Sequence, residues 1–343
     1  MAVTLYTSAD AGAPTLSGVQ MTGRLKQLLL ACLVNGYGSK PAAGWTLGHQ
    51  SGDQKGFSLT NGDGYVNFVQ GSDAMMCQVY IMDSLTPGTT SAFAAGVNRR
   101  SGPWGSGSTS TTDRQWLSLA ALMDDYVTYN PFWVVIADEK TFYIVMGIDT
   151  SGGASDTPMN NYYTGVVSAG RYRNCLGLTG PASFAALGGA PSQYGVGSLG
   201  YANSFASTLL RNPFTGLAAQ GSLPLVTQRG FSHSPYPRTT FNSTELRPSQ
   251  LSLGPVTVFC RGAGLNNSTT DESPCGYLRG VLNDALLSGL LLPDVYRALG
   301  LPRATWDAYR TAITLPGGKA VLPVSVSTSD RLHFISLDPA DWS

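Results

Sequence analysis

Only a few spellings in the 343-residue chain could carry chemistry, and each needs a structural setting to do so. Gly195-Val196-Gly197-Ser198-Leu199-Gly200 matches the G-x-G-x-x-G of a dinucleotide-binding turn. That turn works when a strand precedes it and a helix follows, so that amides at the helix start meet the pyrophosphate. Here it is preceded by Gly188-Gly189-Ala190-Pro191-Ser192-Gln193, which does not read as a strand, and among 41 glycines a chance match is expected. The three histidines, His49, His233 and His333, are far apart, and no G-x-S-x-G elbow nominates a serine nucleophile for them. Asp124-Asp125 and Asp271-Glu272 are adjacent pairs, whose side chains diverge on a helix or strand instead of facing one bond. Asn61-Gly62-Asp63-Gly64 lacks the ligand ladder of a calcium loop and reads as a turn. Asn242-Ser243-Thr244 and Asn267-Ser268-Thr269 spell glycosylation acceptors, which matter only in a secreted eukaryotic protein. No catalytic, cofactor-binding or metal-ligating residue is therefore assigned, and no cofactor is expected.

The cysteines are odd in number and scattered: Cys32, Cys77, Cys175, Cys260 and Cys275. Without a C-x-x-C pair they indicate neither a zinc cluster nor a full disulfide framework, and they read mostly as buried thiols. Whether Cys260 and Cys275 are bonded across the polar stretch from Asn266 to Ser273 stays open at this level.

The elements that would have to position any site are mostly strands. A helix is expected within 15–38, because Met21, Leu25, Leu28, Leu29, Cys32 and Leu33 share one face, with Ser17 to cap it and Asn35-Gly36 to close it. Arg24, Lys26 and Gln27 occupy the opposite face, to meet solvent or a partner. Short strands follow at Gly44–Leu47, Gly56–Leu59, Tyr65–Val69 and Met76–Ile81, as an antiparallel meander. Arg99 to Thr112 reads as an exposed loop, and Trp116 to Tyr129 as a weak helix or irregular segment. Phe132–Ala137 and Thr141–Met146 flank Asp138-Glu139-Lys140 as a hairpin whose arms are apolar at nearly every position, so both its faces should be buried. Val256–Phe259, Val321–Val326 and Leu332–Ile335 read as strands, and Tyr277 to Leu299 as helical. The fold class expected is α+β, predominantly antiparallel β with an N-terminal amphipathic helix and a later helical stretch. Three regions are expected: 1–177, helix plus antiparallel β; 178–254, a loop-rich wrapping or insertion segment; and 255–343, a β/α region packed on the first.

Charged residues are only 12% of the chain and balance to zero, against about 25% in ordinary soluble domains. That balance gives no electrostatic footprint for nucleic acid. Apolar residues at 43% suffice for a large core, so disorder is not expected. Lysines number five, which fits a surface largely covered by neighbouring subunits, since interface cores are depleted in charge. No apolar run reaches membrane-spanning length, and Met1–Tyr6 lacks the basic and apolar regions of a secretory signal.

Leu5 to Gly18 contains Gly12-Ala13-Pro14-Thr15-Leu16-Ser17-Gly18, and Ala31-Cys32-Leu33-Val34-Asn35-Gly36-Tyr37-Gly38 follows in order. These segments resemble the G-A-P-x-L-x-G turn and the A-C-L-V-x-G-[FY]-G helix end of a group of tailed-bacteriophage virion proteins. The likeness continues at Ala42-Ala43-Gly44-Trp45-Thr46 and in Trp133 to Tyr143, which resembles a W-V-V-x-A-D-x-x-T-F-Y hairpin. Looser matches are Tyr277-Leu278-Arg279-Gly280, beside the group's R-G segment, and Leu337 to Trp342, beside its closing Asp and Trp tail.

The resemblance implies a non-enzymatic structural protein of the virion, made in the bacterial host cytoplasm and packed against other virion proteins and copies of itself. Tail tip or baseplate is the first expectation for its place, and capsid decoration the alternative. A receptor- or carbohydrate-binding module is the competing function, with Trp104, Tyr194, Tyr201 and Tyr236 available to stack on sugars and contact with a host surface left open. A tail-borne cell-wall hydrolase is third, lacking its acid, base and metal signatures. Neither nucleic-acid binding nor membrane insertion is expected.

Overall fold

The computed structural model describes residues 2–16, 21–70, 76–101, 115–118, 131–148, 165–189, 206–209, 213, 225–226, 253–261, 272–283, 311–315, 317–324 and 333–343. Its strands in chain order are β1 (Thr4–Thr7), β2 (Thr46–Gln50), β3 (Gly56–Thr60), β4 (Tyr65–Gln70), β5 (Met76–Met82), β6 (Ser84–Leu85) and β7 (Gly96–Val97). Next come β8 (Arg100–Ser101), β9 (Gln115–Ser118), β10 (Pro131–Ala137), β11 (Thr141–Ile148), β12 (Gly165–Arg171), β13 (Arg173–Asn174) and β14 (Phe184–Gly189). The last are β15 (Ala206–Leu209), β16 (Leu225–Val226), β17 (Gly254–Arg261), β18 (Glu272–Asn283), β19 (Ile313–Thr314), β20 (Ala320–Val324) and β21 (His333–Ser336). Among the described residues all pairings are antiparallel and one α-helix, α1 (Met21–Leu29), accompanies the strands. The fold is thus β-rich α+β.

Among the described residues three large sheets organise these strands, and β6 and β7 pair separately as a two-stranded sheet. The first runs β1-β10-β11-β12-β14-β15, the second β2-β3-β4-β5-β8 with β9 also on β5, and the third β16-β17-β18-β21-β20-β19 with β13 also on β18. The β10–β11 hairpin lies inside the first sheet, as its continuous apolar arms require. Trp133, Val135, Ala137, Phe142, Ile144 and Met146 join a core with Phe57, Leu59, Val66, Phe68 and Ile81 of the second sheet. Alternate residues point the other way, and Val134, Ile136 and Tyr143 are buried there as well. Each such side chain taken out of water contributes about 1.5–3 kcal/mol.

Leu25, Leu28, Leu29, Cys32 and Leu33 pack into the same core. The helix changes to a π turn over Leu30–Asn35, where the returning chain meets its last carbonyls: Ala43 N–H donates to Cys32 and Trp45 N–H to Leu33. Arg24, expected on the outward face, is buried, while Gln27 is exposed. Ser17 lies outside the described residues.

The structure corrects four expectations. Tyr277–Asn283 is strand, not helix; Leu278, Val281 and Leu282 have helical spacing only because this strand is buried almost continuously. Residues 284–299 lie outside the described set. The 178–254 segment supplies β14, paired between β12 and β15 in the first sheet, because Phe184, Ala185 and Ala186 bury well despite lacking β-branching. Gly188 and Gly189, read as outside any strand, close β14. Finally, Arg100–Ser101 and Trp116–Ser118 are strand rather than loop or helix, since the open edge of β5 offers them backbone partners.

Candidate functional site

The turn between β10 and β11 gathers a set of buried polar groups. Asp138 opens it and behaves as turn aspartates do: its Oδ1 accepts the N–H of Lys140 at 2.9 Å and of Thr141 at 2.8 Å. Because Asp138 is fully buried, its charge needs a counter-charge. Arg279, from β18 and itself 3% exposed, supplies it with Nη1 3.2 Å from Oδ1 and Nη2 2.7 Å from Oδ2. Arg279 also donates from Nη1 to Thr141 Oγ1 at 2.8 Å and from Nε to the Trp342 carbonyl.

This pair is locked from four sides. Trp45 Nε1 donates to the Asp138 carbonyl at 3.0 Å, which ties the segment entering β2 to the hairpin. Tyr143 donates its hydroxyl to the Arg279 carbonyl at 2.6 Å, and its ring meets Trp342 edge-on with centroids 5.6 Å apart. Thr141 Oγ1 donates to the Arg171 carbonyl at 2.8 Å, and the Arg171 guanidinium grips Asp63 at 2.7 and 2.9 Å. The carboxy-terminal turn is seated by Lys319 on Asp341 at 2.7 and 2.9 Å and by Trp342 Nε1 on the Ser336 carbonyl at 2.8 Å. Gly280 makes room for the indole: its φ of +70° suits glycine, and a Cβ there would lie 2.3 Å from Trp342.

A second cluster fastens the amino-terminal strand. Asp10 Oδ2 accepts the Thr7 N–H and the Tyr37 hydroxyl, both at 2.8 Å, and Lys40 Nζ donates to the Leu5 carbonyl at 2.7 Å while standing 3.7 Å from Asp10. Tyr6 donates to the Pro41 carbonyl at 2.7 Å. Burial acts to raise the Asp10 carboxyl, but the Thr7 amide, the Tyr37 hydroxyl and Lys40 together hold it below the usual range. Burial pushes the Tyr6 hydroxyl up to about 12 and raises those of Tyr37 and Tyr143 further, so all three stay protonated donors.

Of the residues singled out for chemistry, His49 and the turn Asn61–Gly64 are the ones whose side chains are described. His49 is partly exposed on β2, with Nε2 2.9 Å from the Ser91 carbonyl oxygen. His333 lies on β21 with its side chain outside the described set, as are His233, Asp124, Asp125, Asp271, the Gly195–Gly200 motif, Asn242, Asn267 and the aromatics Trp104, Tyr194, Tyr201 and Tyr236. Asn61 to Gly64 is the turn between β3 and β4, and both its polar side chains are spent on the protein: Asn61 on the Lys140 carbonyl at 2.6 Å, Asp63 on Arg171. Among the described residues no group of three or more His, Cys, Asp or Glu is placed to hold a metal ion. Cys32 and Cys77 are buried free thiols, Cys175 is exposed and free, and Cys275 is disulfide-bonded. Cys260 lies on β17 with its backbone opposite Ser273.

Sequence reasoning missed the Asp138–Arg279 pair, although its members lie in Trp133–Tyr143 and Tyr277–Gly280, two segments it had singled out. Trp45, Asp138, Thr141, Tyr143, Arg279, Gly280 and Trp342 were legible as separate short motifs, and the fold brings them to one point. No protein-family model matches the chain, and no curated protein matches it.

Proposed function

We propose that the chain is a structural component of a tailed-phage virion, at the tail tip or baseplate, and that it acts by permanent packing against neighbouring subunits and copies of itself. The observation that carries this reading is the buried lock around Asp138 and Arg279. Its charged groups are turned on one another inside the protein, so the residues in which the chain resembles virion proteins are framework, as a packing protein needs. The low charge of the chain supports the same reading, because a surface destined for permanent contact is disfavoured from carrying solvated Lys and Glu.

The test uses particles of the phage that encodes the chain. Mass spectrometry of purified particles should find the protein in stoichiometric amount, and antibody to the folded chain should label the distal end of the tail. Label on the head would replace the tail assignment by capsid decoration, and absence from purified particles would sink the virion reading. Saturable binding of the isolated protein to intact host cells would instead favour a receptor-binding module.

A further inference from the structure

Strand β13 meets β18 with Arg173 opposite Tyr277 and Asn174 opposite Gly276. One residue further on, the Cys175 N–H donates to the Cys275 carbonyl at 2.8 Å, which continues the same register and sets two cysteines directly opposite each other. Hydrogen-bonded antiparallel partners have Cα atoms about 5.5 Å apart with both side chains on one face, which falls within the range that a disulfide spans. Gly276 permits this approach, for a Cβ there would stand 1.8 Å from the Arg173 carbonyl oxygen. On its other side Cys275 falls in an irregularity: β17 pairs Val258 with Gly276 and Phe259 with Pro274, so no β17 residue is directly opposite it.

The two sulfurs differ in state. Cys275 is fully buried and disulfide-bonded, whereas Cys175 is exposed and free. Burial shields the Cys275 disulfide from thiols in solution, whereas Cys175 is fixed at the neighbouring register position by the backbone hydrogen bond. We propose that Cys175 is a resolving thiol for this disulfide, able to move the cross-link from the present partner of Cys275 onto itself within the folded protein.

The exchange balances without any co-reactant. Cys175 loses its proton and attacks Cys275 Sγ; the Cys175–Cys275 bond forms as the existing S–S bond breaks, and the displaced cysteine leaves as a thiolate that takes up a proton. One thiol and one disulfide stand on each side, so nothing is oxidised or reduced overall. The outcome is mechanical. A turn that was joined to β18 by hydrogen bonds becomes joined covalently, and the previous cross-link is released.

The full-length protein, held at pH 8 without added thiol or oxidant, tests this. Samples taken over time are treated with N-ethylmaleimide, acidified, digested without reduction and mapped by mass spectrometry. A Cys175–Cys275 peptide should accumulate to more than a tenth of all Cys275-containing material, matched by maleimide on the former partner of Cys275. Cys175→Ser, an exposed substitution checked by its unchanged melting curve, should give none of this peptide and keep the original bond. Quantitative labelling of Cys175 at every time point, a Cys175–Cys275 peptide that forms only in urea, or Cys275 found as a free thiol would each overturn the proposal.

Discussion

Replacing Arg279 by methionine should cost about 3–5 kcal/mol of stability, because it leaves a fully buried carboxylate without its counter-charge. The loss falls mainly on Asp138 Oδ2, whose partner is Arg279 Nη2 at 2.7 Å; Oδ1 keeps the amides of Lys140 and Thr141. The Trp342 carbonyl loses its donor too, which alone would cost about 1–3 kcal/mol, but groups in one network do not add. Unfolding entropy of about 2.1 cal/mol/K per residue over 343 residues gives about 0.7 kcal/mol/K, so the melting temperature should fall by about 4–7 °C. The assay is calorimetry on wild type, Arg279→Met, Asp138→Asn and the double variant. The double variant should cost clearly less than the sum of the singles, since Asp138→Asn removes the charge that Arg279→Met strands. A melting temperature within about 1 °C for Arg279→Met, or a coupling below about 0.5 kcal/mol in the cycle, would refute the reasoning.

Gly280→Ala should destabilise by about 1–3 kcal/mol through overpacking against Trp342, read as a lower urea midpoint; an unchanged midpoint would mean that the indole is not seated there. Leu29→Asp places a carboxylate at a fully buried helix position and should cost several kcal/mol, so a soluble variant with wild-type melting behaviour would contradict the core assignment. The Asp10 carboxyl lies below its usual range in the folded protein, so its contribution is present above the unfolded carboxylate range near pH 4 and is lost as pH falls through the folded value. The stability gap between wild type and Asp10→Asn should therefore close between pH 6 and pH 2.5, and a constant gap would exclude the linkage. Amides of Ala185 to Gly188 should exchange as slowly as those of β11, because β14 is held between two strands; fast exchange would return this stretch to the peripheral arm expected of 178–254.

What was legible in the sequence follows from which physical signal each element carries. The hairpin at Phe132–Met146 announced itself by β-branched and aromatic residues on both arms, and the meander from Gly56 to Ile81 by turn residues between short apolar runs. Strand β18 misled because a strand buried on both sides has no alternation, and its Leu278, Val281 and Leu282 then fall into helical spacing. Strand β14 was missed for the opposite reason: Phe184-Ala185-Ala186-Leu187-Gly188-Gly189 has no β-branched residue, and its strand state comes from neighbours far away in sequence. The lock was illegible as a pair, since Asp138 and Arg279 are 141 residues apart and neither has a local pattern that names the other.

A chain with so few charges has nonetheless buried two of them at the meeting point of its sheets. Stability alone does not account for that, because a well-packed apolar replacement of a buried ion pair is often as stable or more so. What the pair adds is selectivity among arrangements. An apolar contact between the hairpin and β18 would tolerate sliding by a residue, whereas the bonds of Arg279 to Asp138, Thr141 and Trp342 form together in one register. The same geometry makes the carboxy-terminal turn a condition of closure, since Trp342 supplies both a carbonyl to Arg279 and a ring to Tyr143. A subunit whose surface must fit fixed neighbours gains from a fold that completes in a single arrangement. On this argument the doubly neutralised variant, Arg279→Met with Asp138→Asn, should recover stability sooner than it recovers uniqueness, with broadened amide resonances around β18 and the Trp342 turn.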